Sequence, residues 1–530
     1  MPAPRTLAVF IPLSLAVFLL TACDVSSKSP TGEPTATAVV ASVSRAATLR
    51  PLRVPLGELA VTPDGELIVS LGGGLRVSPD GRRVAYWARS GEGEAVVVDG
   101  QAETPYDFVG RPRFSPDSQR VAYLAKVGQR WVVVLDGQAA TPYDGIGLLR
   151  FSPDSQHSAY TAKAGKLEVV VRDGKPETPY DGVGLLRFSP DSQRLAYTAR
   201  VGEQWVMVVD GQAGTPYDQG GFIRPAQFSP DSQHYAYEAR VGARWVVIRD
   251  GLAGQPYESI TRPQFSPDSR RLAYTARVGV QWVVVLNGQA GTPYDEVVGL
   301  RFSPDSRRLA YAARLGGKGI VVVDGQAGTP HEGIGHPQFS PDSQRLAYTA
   351  QVDNKEVVVV DGQTGMPHDG VGVLLFSPDS QRLAYAARAG RQWSVVVDGQ
   401  VGQLYDEVVG LQFSPDSRRL AYIARVDQRW IVVADGQAGT THDLAIGLQF
   451  SSDSRHFAYA ATADGKQTVV VNGNEGQSYD AIPEGRITFE SPSRLHYLGV
   501  RGNEIYLVEE QLEAPARVGA PLAASAAAGR

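Results

Sequence analysis

Residues 188–221 read FSPDSQRLAYTARVGEQWVMVVDGQAGTPYDQGG, and the fold turns on how this stretch is parsed. Four short strands are legible. The first ends in the apolar run Leu185 to Phe188. Ser-Pro-Asp-Ser then turns the chain, with proline fixing φ and the Asp or Ser side chain bonding nearby backbone. Arg194 to Val201 reads as the second strand and Gln204 to Val209 as the third. Asp210-Gly211 is a hairpin turn of the I′ kind. The fourth strand, Gly214 to Asp218, carries Pro216, which has no N–H to give to a ladder and so belongs at a sheet edge.

Working outward, the same unit recurs. Its opening aromatic is Phe114, Phe151, Phe188, Phe228, Phe265, Phe302, Phe339, Phe376, Phe413 and Phe450, spaced by 37 residues except for 40 between Phe188 and Phe228. There Gln219-Gly220-Gly221 is an insertion. Val77 starts an earlier copy and Phe489 a degenerate last one, so the chain holds twelve. A fixed period of this size means a solenoid, a propeller or an array.

Two substitutions refine the unit. Asn287-Gly288 and Asn472-Gly473 replace Asp-Gly, removing the charge while keeping tolerance of positive φ, so turn geometry is what the position supplies. The second strand is rich in small residues (Ala196, Thr198, Ala199), which lets sheets approach on both faces. Four strands with a proline-blunted outer edge describe a propeller blade. The expected fold is therefore all-β, a β-propeller of about twelve four-stranded blades, with a β-solenoid as the rival. One large ring and two six-bladed rings both fit. No linker marks a boundary, which favours one ring. The last copy has no fourth strand of its own, and Gly57 to Ser70 has strand-like sequence to spare, so pairing the chain's two ends in one blade would hide both edges.

FSPDSQRLAY followed by a short third strand resembles the WD40-like repeat of the TolB type, over roughly residues 55–510. The Gly-His and Trp-Asp pairs of true WD40 units are absent, and the α/β domain that precedes the TolB propeller has no counterpart, so TolB's partners do not carry over. The resemblance implies a periplasmic or surface propeller that binds other proteins.

Outside the repeats, residues 1–23 (MPAPRTLAVFIPLSLAVFLLTAC) have the layout of a secretory signal peptide: Arg5, an apolar run from Leu7 to Leu20, then small residues. Leu20-Thr21-Ala22-Cys23 resembles a bacterial lipobox, in which the cysteine is acylated and becomes the mature N-terminus. Cys23 is the only cysteine of the chain. The alternative is an uncleaved membrane helix, for which the span is barely long enough. Asp24 resembles the inner-membrane retention residue of enteric lipoproteins, a rule that does not hold in all bacteria, so the membrane stays open. Residues 24–54 read as a flexible tether, 55–510 as the propeller and 511–530 as a disordered tail. With 20% charged residues and a formal net charge of −5, the composition does not suggest a nucleic-acid binder.

The repeats offer little chemistry. There is no G-x-S-x-G elbow, no H-E-x-x-H and no EF-hand run. No catalytic residue, metal site or cofactor is expected, and the Asp residues of SPDS, DG and PYD read as turn formers. Three departures from the repeat are candidates for ligand binding. Arg113, Arg150, Arg187 and Arg301 precede the motif phenylalanine where Gln227, Gln264, Gln338, Gln412 and Gln449 stand elsewhere; on an innermost strand they would give the channel a basic sector suited to an anion. His331, His368 and His442 replace the PYD tyrosine held by Tyr106, Tyr143, Tyr180, Tyr217, Tyr257, Tyr294 and Tyr405, and the plain alternative is interchangeable packing. Trp131, Trp205, Trp245, Trp282, Trp393 and Trp430 open third strands, as a glycan platform or as packing between blades. The functional expectation is a non-enzymatic, lipid-anchored envelope scaffold for envelope proteins. Its alternative is a carbohydrate- or small-ligand-binding propeller, lyase or hydrolase included, with its site at the channel mouth.

Overall fold

A computed structural model describes residues 45–52, 59–61, 67–69, 73–90, 93–217, 223–502 and 504–513. The expected signal peptide and lipobox, residues 24–44 of the tether and the 219–221 insertion lie outside the described residues. The chain divides into residues 1–40 and a second compact unit, residues 41–530, to which everything below refers.

That unit contains twelve antiparallel sheets of the propeller kind and one small three-stranded sheet, Leu59–Val61, Leu67–Val69 and Gly73–Gly74. Each sheet is a blade. In blade 4 the strands are Gly182–Phe188, Leu195–Val201, Gln204–Val209 and Gln212–Ala213, paired in chain order. The third strand falls where expected. The fourth lies two residues earlier than expected, because Pro216 interrupts the ladder and leaves a single bridge between Trp205 and Tyr217. Proline breaks inner strands in the same way. Blades 2, 6 and 8, with Pro112, Pro263 and Pro337, have that strand in two pieces, such as Phe108–Val109 and Arg113–Phe114.

The core lies between blades, not within one. Alanines on second strands leave room for the neighbouring sheet, and the third-strand valines fill it: Ala196, Met207 and Val209 of blade 4 pack with Phe228, Tyr237 and Val246 of blade 5. Equivalent clusters join every successive pair of blades from 1 to 12. A further cluster joins blade 12 (Leu498, Val500, Ile505, Leu507) to Val84 and Val77 of blade 1. The twelve blades thus form one closed ring. A buried tyrosine such as Tyr197, 1% exposed, contributes roughly 2–3 kcal/mol by removing its apolar surface from water.

Closure corrects three boundaries read from sequence. Blade 12 takes three strands from the C-terminal copy, Ile487–Ser491, Arg494–Arg501 and Glu504–Leu512, and its outer strand from the N-terminal side. That strand is Arg45–Leu52, in register from Arg45 opposite Leu512 to Leu52 opposite Ile505, and not a segment of 57–70. Residues 45–52 therefore belong to the propeller and not to a flexible tether. Likewise Gln511 and Leu512 are strand and not tail. The physical reason is the bare edge of Glu504–Leu512, whose N–H and C=O groups need a partner that composition alone does not reveal.

Candidate functional site

The recurring polar residues are engaged in holding blades together. In SPDS the first serine is buried: Ser115 Oγ donates to Asp117 Oδ1 (2.5 Å) and accepts from the Arg120 N–H (2.9 Å). The second serine sits at positive φ, 66° for Ser118 and 65° for Ser306. Its Oγ accepts the N–H of the SPDS or SPDG aspartate one blade back, as from Asp80 to Ser118 and from Asp268 to Ser306. Ten such bonds of 2.8–3.0 Å run from blade 1 to blade 11.

An arginine staples each seam a second time. Arg83 Nε donates to Asp99 Oδ2 (2.7 Å), its Nη1 reaches the Ser118 and Gln119 carbonyls, and its guanidinium lies 5.4 Å from the Phe114 ring centroid of the next blade. Eight blades repeat this stacking. Histidine replaces that arginine at His157, His234 and His456; at the first two, Arg172 and Arg249 from the third strands stack instead on Phe188 and Phe265. The Asp-Gly aspartate does more than turn: its Oδ1 caps a backbone N–H, as Asp136 does for Val121, and Asn287 keeps that bond to Leu272. The PYD aspartates brace the turn between second and third strands, as Asp181 Oδ2 accepts from the Gly202 N–H (2.6 Å). Shallow grooves of 550–690 Å³ recur at four seams, and around one of them lie Arg345, Asp361, Gln381, Tyr385 and Asp398.

The histidines and tryptophans named from sequence are dispersed. His331, His368 and His442 pack edge-on against Tyr348, Tyr385 and Tyr459 with centroids 5.7–6.2 Å apart, the arrangement Tyr294 makes with Tyr311. They lie at separate seams, and burial lowers the pKa of each below the ordinary imidazole value. Trp205, Trp245, Trp282 and Trp430 pack against four different inter-blade cores.

The arginines behave differently. Arg113, Arg150, Arg187 and Arg301 are exposed on inner strands, each opposite an alanine of the second strand. The structure brings one of them, Arg187, toward a residue the sequence reading missed. Arg187 lies within electrostatic reach of Arg262 and of Arg150; desolvation and these like charges lower its pKa. Glu238, 1% exposed, stands in the second strand of blade 5 where Thr198, Thr275 and Ala312 stand in blades 4, 6 and 7. Its Oε2 is 3.0 Å from Arg224 Nη1, and Arg224 also lies over the Trp245 ring at 5.6 Å. Burial raises the pKa of Glu238, against the opposing pull of Arg224 and Arg262. The available signal was Arg224-Pro225 and Arg262-Pro263, two Arg-Pro pairs just ahead of the motif, together with one carboxylate in a strand otherwise free of acid.

No known protein family and no curated protein matches the chain in sequence. Solved structures similar to it are propellers of low identity. The Dos1 propeller is 13% identical, with a TM-score of 0.28, and the match covers 53% of this chain and 90% of that one. TolB from Acinetobacter baumannii is 15% identical, with a TM-score of 0.23, covering 48% and 77%. The dihydro-heme d1 dehydrogenase NirN is 15% identical, with a TM-score of 0.26, covering 55% and 74%.

Proposed function

We propose that the chain is a non-enzymatic interaction scaffold, held at a bacterial cell envelope by a lipid on Cys23, whose ring binds other envelope proteins. The observation that carries this reading is a row of exposed apolar tips. Val127, Val201, Val278 and Leu315 are 50–54% exposed, Val241 is 45% exposed, and all stand where second strands turn into third. Because strands alternate in direction, these turns lie at the end of the blades opposite SPDS and Asp-Gly. One end of the ring is thus rich in polar side chains engaged in seams, while the other presents apolar groups in blades 2 and 4 to 7. Such groups mark contact surfaces when they recur in one region. Repetition also suits multivalent contact, where each added point raises avidity without new chemistry.

The test is site-specific cross-linking in intact envelopes, with a photoreactive residue at Val201 or Val278 and a control at the outer-edge Leu252. A reproducible partner captured from the tips, absent from the control and lost on Val241→Glu, supports the scaffold. Equal capture from both positions, or none, overturns it. Palmitate labelling abolished by Cys23→Ser, with release from the membrane fraction, is the expected result for the anchor.

A further inference from the structure

Three departures from the repeat meet at the seam between blades 2 and 3. The first concerns a buried tyrosine that recurs on second strands. In blades 2 and 4 its hydroxyl donates to a glutamate of the preceding blade, Tyr123 to Glu103 (2.7 Å) and Tyr197 to Glu177 (2.8 Å). At the seam between those two, Ala140 takes the glutamate's place. The backbone there is unchanged: the N–H groups of Glu103, Ala140 and Glu177 meet the carbonyls of Val96, Val133 and Val170, each at 2.8 Å. The second departure follows from the first. Tyr160 is 2% exposed, and its hydroxyl has no hydrogen-bond partner among the described residues. In blades 10 and 11, where glycine replaces the preceding glutamate, a neighbouring ring supplies one: Tyr405 for Tyr422 (3.5 Å) and His442 for Tyr459 (3.3 Å). The third is Ser158, at a position held by Val, Leu, Tyr or Phe in every other blade from 1 to 11. It exchanges an apolar side chain for a smaller one that carries a hydroxyl. Ala140, Ser158 and Tyr160 line one groove of about 550 Å³, together with the exposed Gln138 and Gln156.

We propose that this groove binds a hydroxylated carboxylic acid of monosaccharide size, its carboxylate accepting from the Tyr160 hydroxyl as Glu103 and Glu177 accept at the flanking seams. The two glutamates are built-in ligands, and they report the chemistry the position takes: a carboxylate on a short aliphatic arm. A buried hydroxyl with no acceptor carries a desolvation cost, which the oxygen of a ligand relieves. The groove's own acids do not oppose the incoming charge. Asp136 is held by Arg120 (2.9 Å), and Asp173 by His157 (2.8 Å) and Arg172 (4.0 Å). Ser158, Gln138 and Gln156 supply donors and acceptors for the hydroxyls of the ligand. The volume falls within the range of about 300–1,000 Å³ usual for small-molecule sites. The site stands independently of the scaffold reading, since its ligand is measured with no partner protein present.

The experiment is calorimetric titration of the full chain with glucuronate, and with glucose and acetate, which each lack half of the recognised chemistry. Saturable binding of glucuronate is expected, with glucose and acetate each weaker by about tenfold or more, the scale of a lost hydrogen bond to a charged group. Tyr160→Phe removes the donor but keeps the ring, and should weaken glucuronate by about tenfold. Ala140→Glu restores the built-in carboxylate and should abolish binding while leaving the thermal midpoint at or above that of the parent chain. No saturable heat with glucuronate overturns the proposal. So does binding that survives Ala140→Glu, or either glucose or acetate binding as tightly as glucuronate. If Ala140→Glu lowers the midpoint, Tyr160→Phe decides alone, and an unchanged affinity for glucuronate overturns the proposal.

Discussion

Of the twelve seams of this ring, the ten from blade 1 to blade 11 share the bond from an aspartate N–H to the next blade's serine Oγ, and the seam that closes the ring is made from other parts. Between blades 6 and 7, as between any repeated pair, Asp268 N–H meets Ser306 Oγ, Arg271 lies over Phe302, and apolar residues fill the space between sheets. Between blades 12 and 1, Gly81 stands at the serine position, at φ 76°. No serine oxygen is available there, and side chains of blade 12 reach backbone carbonyls of blade 1 instead: His496 Nε2 is 2.6 Å from the Asp80 carbonyl and Arg486 Nη1 donates to the Ser78 carbonyl (2.9 Å). His496 is 2% exposed, with its Nδ1 2.7 Å from Glu490, which also pairs with Arg82 and Arg494. A repeated seam needs only that each blade match its successor. The closing seam must join a degenerate last copy to the first, so it uses side chains found nowhere else in the repeat.

The largest effect is expected from removing residues 45–52. That deletion bares the whole edge of Glu504–Leu512 and strips blade 12 of one of its four strands. The variant is expected to lose its cooperative thermal transition near the wild-type midpoint and to associate through the bare strand, as read by calorimetry and size-exclusion chromatography. An unchanged midpoint and a monomeric profile would show that closure does not depend on this strand.

His496→Ala comes next. It leaves the Asp80 carbonyl without its donor, takes one of three partners from Glu490 and opens a cavity at a buried position, a cost of about 3 kcal/mol. Amide exchange around residues 78–83 should quicken while that of Asp268 does not. His157→Ala, at a half-buried position in a repeated seam where Arg172 already stacks, should cost less than about 1 kcal/mol. Equal costs would erase the distinction between the two kinds of seam.

Within the repeated seams, Ser306→Ala removes an acceptor from the Asp268 N–H and is expected to cost about 1–2 kcal/mol. Ser306→Gly loses the same bond but relieves the positive φ, so it should cost less than alanine. Gly81, at φ 76°, takes the serine's place at the closing seam with the same relief of positive φ. If glycine proves worse than alanine in denaturant titrations, the serine is not held there for its oxygen.

How much of this was legible follows from the same contrast. Whatever recurs from blade to blade was readable: the SPDS turn, the second and third strands, and the small residues that let sheets approach. Asp136 shows the limit even there, because its turn was visible but its bond to the Val121 N–H is a contact across fifteen positions. Features that occur once were not readable. Arg45–Leu52 has a composition no different from a linker and becomes strand because of the distant edge Glu504–Leu512. Arg262 and Glu238 are separated by a blade boundary, so no local pattern joins them, although each breaks the repeat when copies are laid side by side. The candidate arginines were half-visible for that reason: Arg150 and Arg187 stood out, while the groups that give them a charge environment did not.

Acid separates the blades that bury histidines from those that do not. Burial lowers the pKa of His331, His368, His442, His456 and His496, all in blades 7 to 12 or the connections between them. On unfolding each regains the ordinary imidazole value near 6.5, so below that pH the unfolded chain binds more protons than the folded one, and stability falls as pH is lowered. The SPDS carboxylates act in a lower window. Hydrogen bonds from their own serines and from backbone N–H groups lower the pKa of Asp117, Asp154, Asp231 and Asp342. Their contribution is present above the unfolded carboxylate value near 3.9 and is lost as pH falls below it. Amide exchange followed from pH 7 to pH 5 should therefore quicken first in blades 7 to 12, the closing seam included, while blades 2 to 6 hold until pH drops toward 4. Uniform loosening of all blades at one pH would mean that the buried histidines do not set the order.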